Sequence, residues 1–522
     1  MQKFKTPISR LARLFRQERN NWKERALEKQ KKNRALEIKV RDLLASRDKW
    51  KERAKQAEEE LLKLQKREEQ SAGKIVSEEV DLNFKNDDLL KELKAKGHHY
   101  SLEIIQLVVY YFIEGSISLR GIVKILKNPE SNLQKIPHFT TIRKWLIRIG
   151  LYELQRQKKY GNDWIFIMDL TVELGKQKAL VILGVSQEHL KEKVFPLQKG
   201  LCHEDVEVLA VEIMDSTKGE LIEEKLNKLT QTVGNPSQIV ADNGSDLACG
   251  IKLYQQKNPE VIYTHDVTHA MALILKHELF ANEKYQSFLK HCHQCRQELQ
   301  QTELSFLSPP AQRSQCRYFN VEKLVDWAIK LLESPWSTLI KLVPNIEENI
   351  LLQKLGDKLG WLLDYQSELR QWSLMVEMTR TLETQLKHCG LNQESLAVFE
   401  EKLSSLTDSS LLNFQQNILD YLKRESDKIS NENTFLATSD IIESLFGKYK
   451  SFSIRSPLKQ ISQLLLMMVL SSINLTTSVL KQALETVRFV DVEVWAKLVF
   501  GPSMLSKRKI LFSTKGKDMK SA

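Results

Sequence analysis

The sequence predicts a multidomain α/β protein: a mixed-sheet core, split by a large α-helical insertion and preceded by a coiled coil and a small helical domain. Three observations carry this. Short apolar runs bounded by turn residues are confined to residues 160–280. Residues 281–432 are helical in pattern, without strand-like alternation. A seven-residue apolar spacing runs through the Gly- and Pro-poor N-terminal stretch.

At 522 residues the chain is long enough for several cores. Six cysteines in that length do not make a disulfide framework, which favours a reducing, cytoplasmic setting. The longest apolar run, Leu464 to Leu470, is too short to span a bilayer, and no membrane partner is expected. The net charge of +11 is concentrated at the ends. Residues 1–70 carry 22 Lys and Arg against 12 Asp and Glu, and residues 505–522 carry 6 against 1. Two basic ends around a slightly acidic body suit contacts with a polyanion, although a solvated helix and tail would have the same composition.

Residues 1–70 read as a basic coiled coil with Leu36, Leu43, Trp50, Ala57 and Leu64 on one seam. Trp22-Lys23-Glu24-Arg25-Ala26 recurs as Trp50-Lys51-Glu52-Arg53-Ala54, an offset of 28 residues, which keeps both tryptophans on one face. A homodimer or higher homo-oligomer is the expectation. Residues 71–98 read as a linker. Residues 99–155 predict three helices, the last opening on Thr140-Thr141 and stopping at Gly150. This is a helix-turn-helix pattern, with Arg143, Lys144 and Arg148 as the residues that would face double-stranded DNA; small bundles with no DNA role look similar.

In the core, strands are expected at 164–168, 179–185 and 194–197, then a helix over 205–232. A fourth strand ends at Asp242 before a helix over 246–257, and a fifth, Val261–His265, precedes a helix over 267–279. Three hairpin-like strands followed by alternating helices and strands is the order of a ribonuclease H-like fold. In such a sheet neighbouring strands open their carboxyl ends onto one crevice, where Asp169 and Asp242 would meet. The core would resume over 433–500, with Glu443 on a helix, and residues 501–522 would form a basic tail.

A carboxylate closing an apolar strand is costly to bury without a partner or metal. Asp169, Asp242 and Glu443 together could hold two Mg²⁺ ions (or Mn²⁺ in their place), Asp169 bridging both. Lys450, about two turns beyond Glu443, and Arg455 are candidates for a nearby DNA phosphate. Each acid also has an ordinary reading: Asp242 before Asn243-Gly244 caps a turn, and Asp163, Glu173, Glu432 and Asp440 lie close by. Asp266 and His269 are accessory candidates, or simply a capping aspartate and a satisfied histidine. His291-Cys292-His293-Gln294-Cys295, with Cys316, lacks a second close pair, so Cys292 and Cys295 read as core rather than zinc ligands. Trp327, Trp336, Trp361 and Trp372 read as core too, with base stacking the alternative.

These residues resemble a DDE-type transposase of a bacterial insertion sequence. The resemblance lies in the strand ending in Asp169, the Ile239-Val240-Ala241-Asp242-Asn243-Gly244 element, Glu443 followed by Lys450, and Asp266-x-x-His269. The long helical insertion before the glutamate is similar to that of hAT-like enzymes. Where one related signature carries a tyrosine and an arginine, this chain has Leu436 and Ser439. The resemblance implies metal-dependent cleavage at the ends of a mobile element and strand transfer into target DNA by a nucleoid-associated protein. A ribonuclease H-like nuclease or resolvase without strand transfer, or a non-catalytic architectural DNA-binding protein, are the competing readings.

Overall fold

In the computed structural model the chain divides into two units, 1–89 and 90–522. The described residues are 30, 93–128, 135–172, 177–311, 321–343, 346–406, 408–429, 433–453 and 461–512. The expected coiled coil, most of the linker, Arg455, Cys316 and Glu432 lie outside them.

The second unit opens with α1 (Leu102–Ile113), α2 (Leu119–Leu126) and α3 (Phe139–Gln155). Ser101 and Ser118 cap α1 and α2 by accepting the backbone N–H of Ile104 and Gly121. The third helix begins one residue before the expected threonine cap, with His138 accepting from Thr140, and it does not stop at Gly150. Gly150 is there for proximity: a Cβ would lie 2.1 Å from the Leu466 carbonyl oxygen.

The sheet comprises β1 (Trp164–Val172), β2 (Lys178–Ser186), β3 (Glu207–Met214), β4 (Gln238–Ala241) and β5 (Ile262–His265), in the order β3-β2-β1-β4-β5. The first three run antiparallel, and β1, β4 and β5 are parallel. This is consistent with an α/β ribonuclease H-like core. Helix α4 (Gly219–Val233) leads into β4, α5 (Ser245–Lys257) joins β4 to β5, and α6 (Val267–Ala281) leaves β5.

Two expectations are corrected. The third strand is not at 194–197, where Leu190–Val194 and Phe195–Leu197 form short helical turns containing Pro196. It lies at Glu207–Met214, inside the stretch read as one helix. Val208, Val211 and Ile213 suit a strand, whereas the interspersed Glu, Leu and Ala imitated a helix.

The insertion is α7 (Glu283–Leu299), α8 (Val321–Glu333), α9 (Trp336–Lys341), α10 (Glu348–Leu359), α11 (Gln366–Cys389), α12 (Ser395–Leu403) and α13 (Leu412–Ser426). These helices share one core with α6, centred on Tyr285, Phe288, Trp372, Phe399 and Phe414. Trp372 is buried, and Trp327 and Trp361 pack against the same cluster.

The chain then returns to the sheet as α14 (Asp440–Ser453) and closes with α15 (Leu466–Val469), α16 (Thr477–Thr486), α17 (Phe489–Phe500) and α18 (Met504–Phe512). The last falls in the stretch expected to be a tail.

Helices α1–α3 do not form a core of their own. They bury Leu102, Ile105, Ile142, Trp145 and Leu146 together with Phe452, Leu466, Met467, Leu480 and Leu484 from the C-terminal helices. The expected 99–155 domain is thus one half of a shared helical layer. Among the described residues, no helix is long and apolar enough to cross a membrane.

Candidate active site

Side chains alternate between the faces of a strand, and this decides where the acids sit. On β1, Phe166 and Met168 face one layer, with Ile222 and Leu226 of α4 and Leu247 and Ile251 of α5. Ile165 and Ile167 face the other, with Ile441, Ile442 and Leu445 of α14. Asp169 has the parity of Ile165 and Ile167. In β4, Ile239 and Ala241 belong to the first layer and Val240 to the second, so Asp242, the residue after the strand, has the parity of Val240. Met168 pairs with Ala241 in the parallel register, so the two aspartates follow matched positions on adjacent strands. Such strands lie about 4.8 Å apart. Glu443 stands in the first turn of α14, the helix covering that face.

All three acids are half-buried. The Asp169 carboxylate accepts the Leu170 N–H at 2.6 Å, and that of Asp242 accepts the Gly244 N–H at 3.2 Å. The Asp242 carbonyl accepts the Tyr263 hydroxyl at 2.9 Å, which holds the turn after β4 against β5. Burial, reinforced by the charges of Asp242 and Glu425, pushes the Tyr263 phenol pKa well up, so it stays a donor. Carboxylates are the donor chemistry a hard divalent cation takes. Among the described residues, no group of three or more His, Cys, Asp or Glu is drawn together as a metal-binding set. The register juxtaposes the two aspartates, while Glu443 stands on the helix that covers the same face.

The segment leading into α14 is fixed by a set of buried polar residues that sequence reasoning missed. Gln238 is wholly buried in β4, donates to the Leu436 carbonyl at 2.6 Å and accepts the Leu436 N–H at 3.0 Å. Asp266, 1% exposed, uses both oxygens. One caps α6 by accepting the His269 N–H at 2.9 Å, and the other accepts the Ser439 N–H at 2.8 Å and the Ser439 hydroxyl. The Val267 N–H completes the attachment at the Ala437 carbonyl, 2.9 Å away. Residues 436–439, directly before α14, are thus fixed to the ends of β4 and β5. Leu436 and Ser439, the two departures from the related signature, are among the anchored positions. Of the two sequence readings of Asp266, the structure displays the cap, extended by a second bond to the glutamate segment. His269 is half-buried beside it. The missed signal was Gln238 itself, a long polar side chain in an apolar strand, which needs a buried partner.

The insertion is moored to the outer edge of β5 in the same way. Glu425 accepts the His265 N–H at 3.1 Å, while Tyr421 and Lys428 donate to the His265 and Tyr263 carbonyls, each at 2.9 Å. These bonds occupy an edge that would otherwise be open to pairing. Burial draws the His265 imidazole pKa down despite the Glu425 carboxylate.

The expected DNA-facing residues separate. Arg148 is turned inward: its guanidinium donates to the Val487 carbonyl at 2.6 Å and to the Leu484 carbonyl, satisfying the C-terminal end of α16. It is a corrected assignment, because a half-buried arginine spent on carbonyls is not available to phosphate. Arg143 is half-buried, and desolvation lowers its pKa. Lys144 is exposed, with its ammonium 4.6 Å from the Phe489 ring centroid. Lys450 is exposed on α14. Trp145-Leu146-Ile147 and Ile149-Gly150-Leu151 are buried, so the middle of α3 is committed to the core. Cys292 and Cys295 are buried in the insertion core, which raises both thiol pKa values, that of Cys295 to about 11.

No family model matches the chain. No curated protein matches it either. Among solved structures the chain is similar to the Drosophila P element transposase strand transfer complex, at 13% identity over 74% of this chain and 93% of that chain, with a TM-score of 0.35.

Proposed function

We propose that this chain is a DDE-type DNA transposase, with Asp169, Asp242 and Glu443 as its catalytic carboxylates and the ends of a mobile element as its substrate. The observation that supports this reading is the shared face: two aspartates that follow paired positions on adjacent parallel strands, beneath a helix that carries the glutamate. Asp169 lies within β1, which runs on to Val172, and Asp242 comes just after β4. Bound by these acids, two Mg²⁺ ions, or Mn²⁺ in their place, would supply charge stabilisation at the entering and leaving oxygens of the phosphodiester. The chain's own residues hold the geometry. Tyr263 steadies the Asp242 turn, Gln238 and Asp266 fix the start of the glutamate helix, and the exposed Lys450 and Lys144 would meet phosphates on double-stranded DNA. A homo-oligomer would bring two element ends together.

The test is cleavage of a labelled duplex carrying the DNA that flanks the coding sequence, in Mg²⁺ or Mn²⁺, by the wild type and by Asp242→Ala. End nicking that falls at least about 10²-fold in the variant, with joined products, is the expected result. Cleavage without joining makes the protein a nuclease or resolvase. Tight binding with no cleavage in either metal makes it an architectural protein.

A further inference from the structure

The first turn of α14 is held from two sides. Asp266 reaches Ser439 from the sheet, and Lys387 of α11 reaches Asp440 from the insertion. Lys387 also pairs with Glu383, one turn earlier on α11 and only 4% exposed. Glu383 is in turn met by the Thr268 hydroxyl at 3.1 Å and by Arg380 at 2.8 Å. Arg380 continues to Glu322 of α8 at 2.7 Å. A chain of alternating charges therefore runs through the insertion and ends on the first residue of the glutamate helix, with α6 attached to it midway.

We propose that Lys387 is a positioning residue for Glu443: it ties the insertion to Asp440 and so fixes the turn from which the glutamate projects. This rests on the reading of Glu443 as catalytic. Four points support it. The Glu383–Lys387 pair is spaced i, i+4 on one helix, so the ammonium is preorganised before it meets Asp440. Glu383 keeps Arg380 and Thr268 without Lys387, so the distinctive work of the lysine is the bond that crosses to α14. Asp440 is the first residue of α14, where its charge is already favoured, and Lys387 pairs with it there. Burial works to lower the Lys387 pKa, but Asp440 and Glu383 outweigh it and the net shift is upward, so the ammonium persists at neutral pH.

The experiment uses the full chain as Lys387→Met, Lys387→Arg and Asp440→Asn, read by hydrogen exchange over residues 436–446 and by steady-state cleavage of end DNA. Expected are at least tenfold faster exchange in that segment for Lys387→Met and Asp440→Asn, partial recovery in Lys387→Arg, and β1 and β4 unchanged. The turnover number should fall about 10- to 100-fold with KM for DNA unaltered. The Lys387→Met/Asp440→Asn double variant should be no worse than either single one. Unchanged exchange, additive singles, or exchange raised equally across β1 and β4 would each overturn the proposal. If the wild type cleaves nothing, the catalytic reading fails while the exchange data still decide the positioning.

Discussion

Asp266 offers the most direct test of how this molecule places a distant residue. Removing its carboxylate as Asp266→Ala deletes the cap on α6, worth about 1 kcal/mol. It also deletes two bonds to Ser439, each worth about 1.5–3 kcal/mol to an ionised acceptor. Ser439 is 2% exposed, so its N–H cannot turn to water. Allowing for partial relaxation, the local cost should come to about 3–5 kcal/mol. At about 1.4 kcal/mol per tenfold, protection of the first α14 amides should drop by roughly a hundredfold to a few thousandfold. Native-state hydrogen exchange measures this directly. Asp266→Asn separates the two functions, because an amide oxygen can still cap α6 while its N–H₂ opposes the Ser439 donor. Its loss should fall on α14 and spare α6. Wild-type exchange rates over α14 in both variants would refute the idea that Asp266 anchors the glutamate helix.

Four further outcomes are expected. Gln238→Leu keeps volume but strands the Leu436 N–H, at about 1–3 kcal/mol, and leaves the Leu436 carbonyl only the Thr264 hydroxyl, so it should lower the thermal midpoint. Arg148→Met should also lower it, through the lost bonds to Val487 and Leu484, while leaving the salt dependence of DNA binding unchanged. By contrast, Lys144→Ala and Lys450→Ala should leave the midpoint near wild type and reduce the salt slope of DNA binding by about one each. For Cys295, the folded thiol pKa is raised from 9.0 to about 11. Its stabilising contribution is therefore complete below pH 9 and lost as pH rises toward 11, so wild-type unfolding should become easier over that window and Cys295→Ala should flatten the trend.

The parts of this architecture visible in the sequence are those governed by local rules. Asp169 and Asp242 stood out because each ends a short apolar run, and the structure sets those runs side by side. Glu443 reads as lying on a helix with Lys450 about two turns on, and the structure displays that helix, packed on the sheet through Ile441, Ile442 and Leu445. The third strand was hidden because Glu207, Leu209, Ala210 and Glu212 favour helix as readily as strand, and only pairing with β2 settles the matter. Arg148 misled for the opposite reason. Its spacing suited an exposed face, but α3 is covered by α16 and α17, more than 300 positions later in the chain. The contacts that fix the start of the glutamate helix are the least local of all. Gln238 and Leu436 are 198 positions apart, and Asp266 and Ser439 are 173 apart. No periodicity links such partners. A long insertion between the second aspartate and the glutamate must leave its far end free to wander unless buried polar contacts fix the return. This chain spends a glutamine, an aspartate and a lysine on that attachment. The start of the glutamate helix is therefore held by the sheet and by the insertion rather than by its immediate neighbours, and changes at Gln238, Asp266 or Lys387 should loosen that helix without altering any of the three acids.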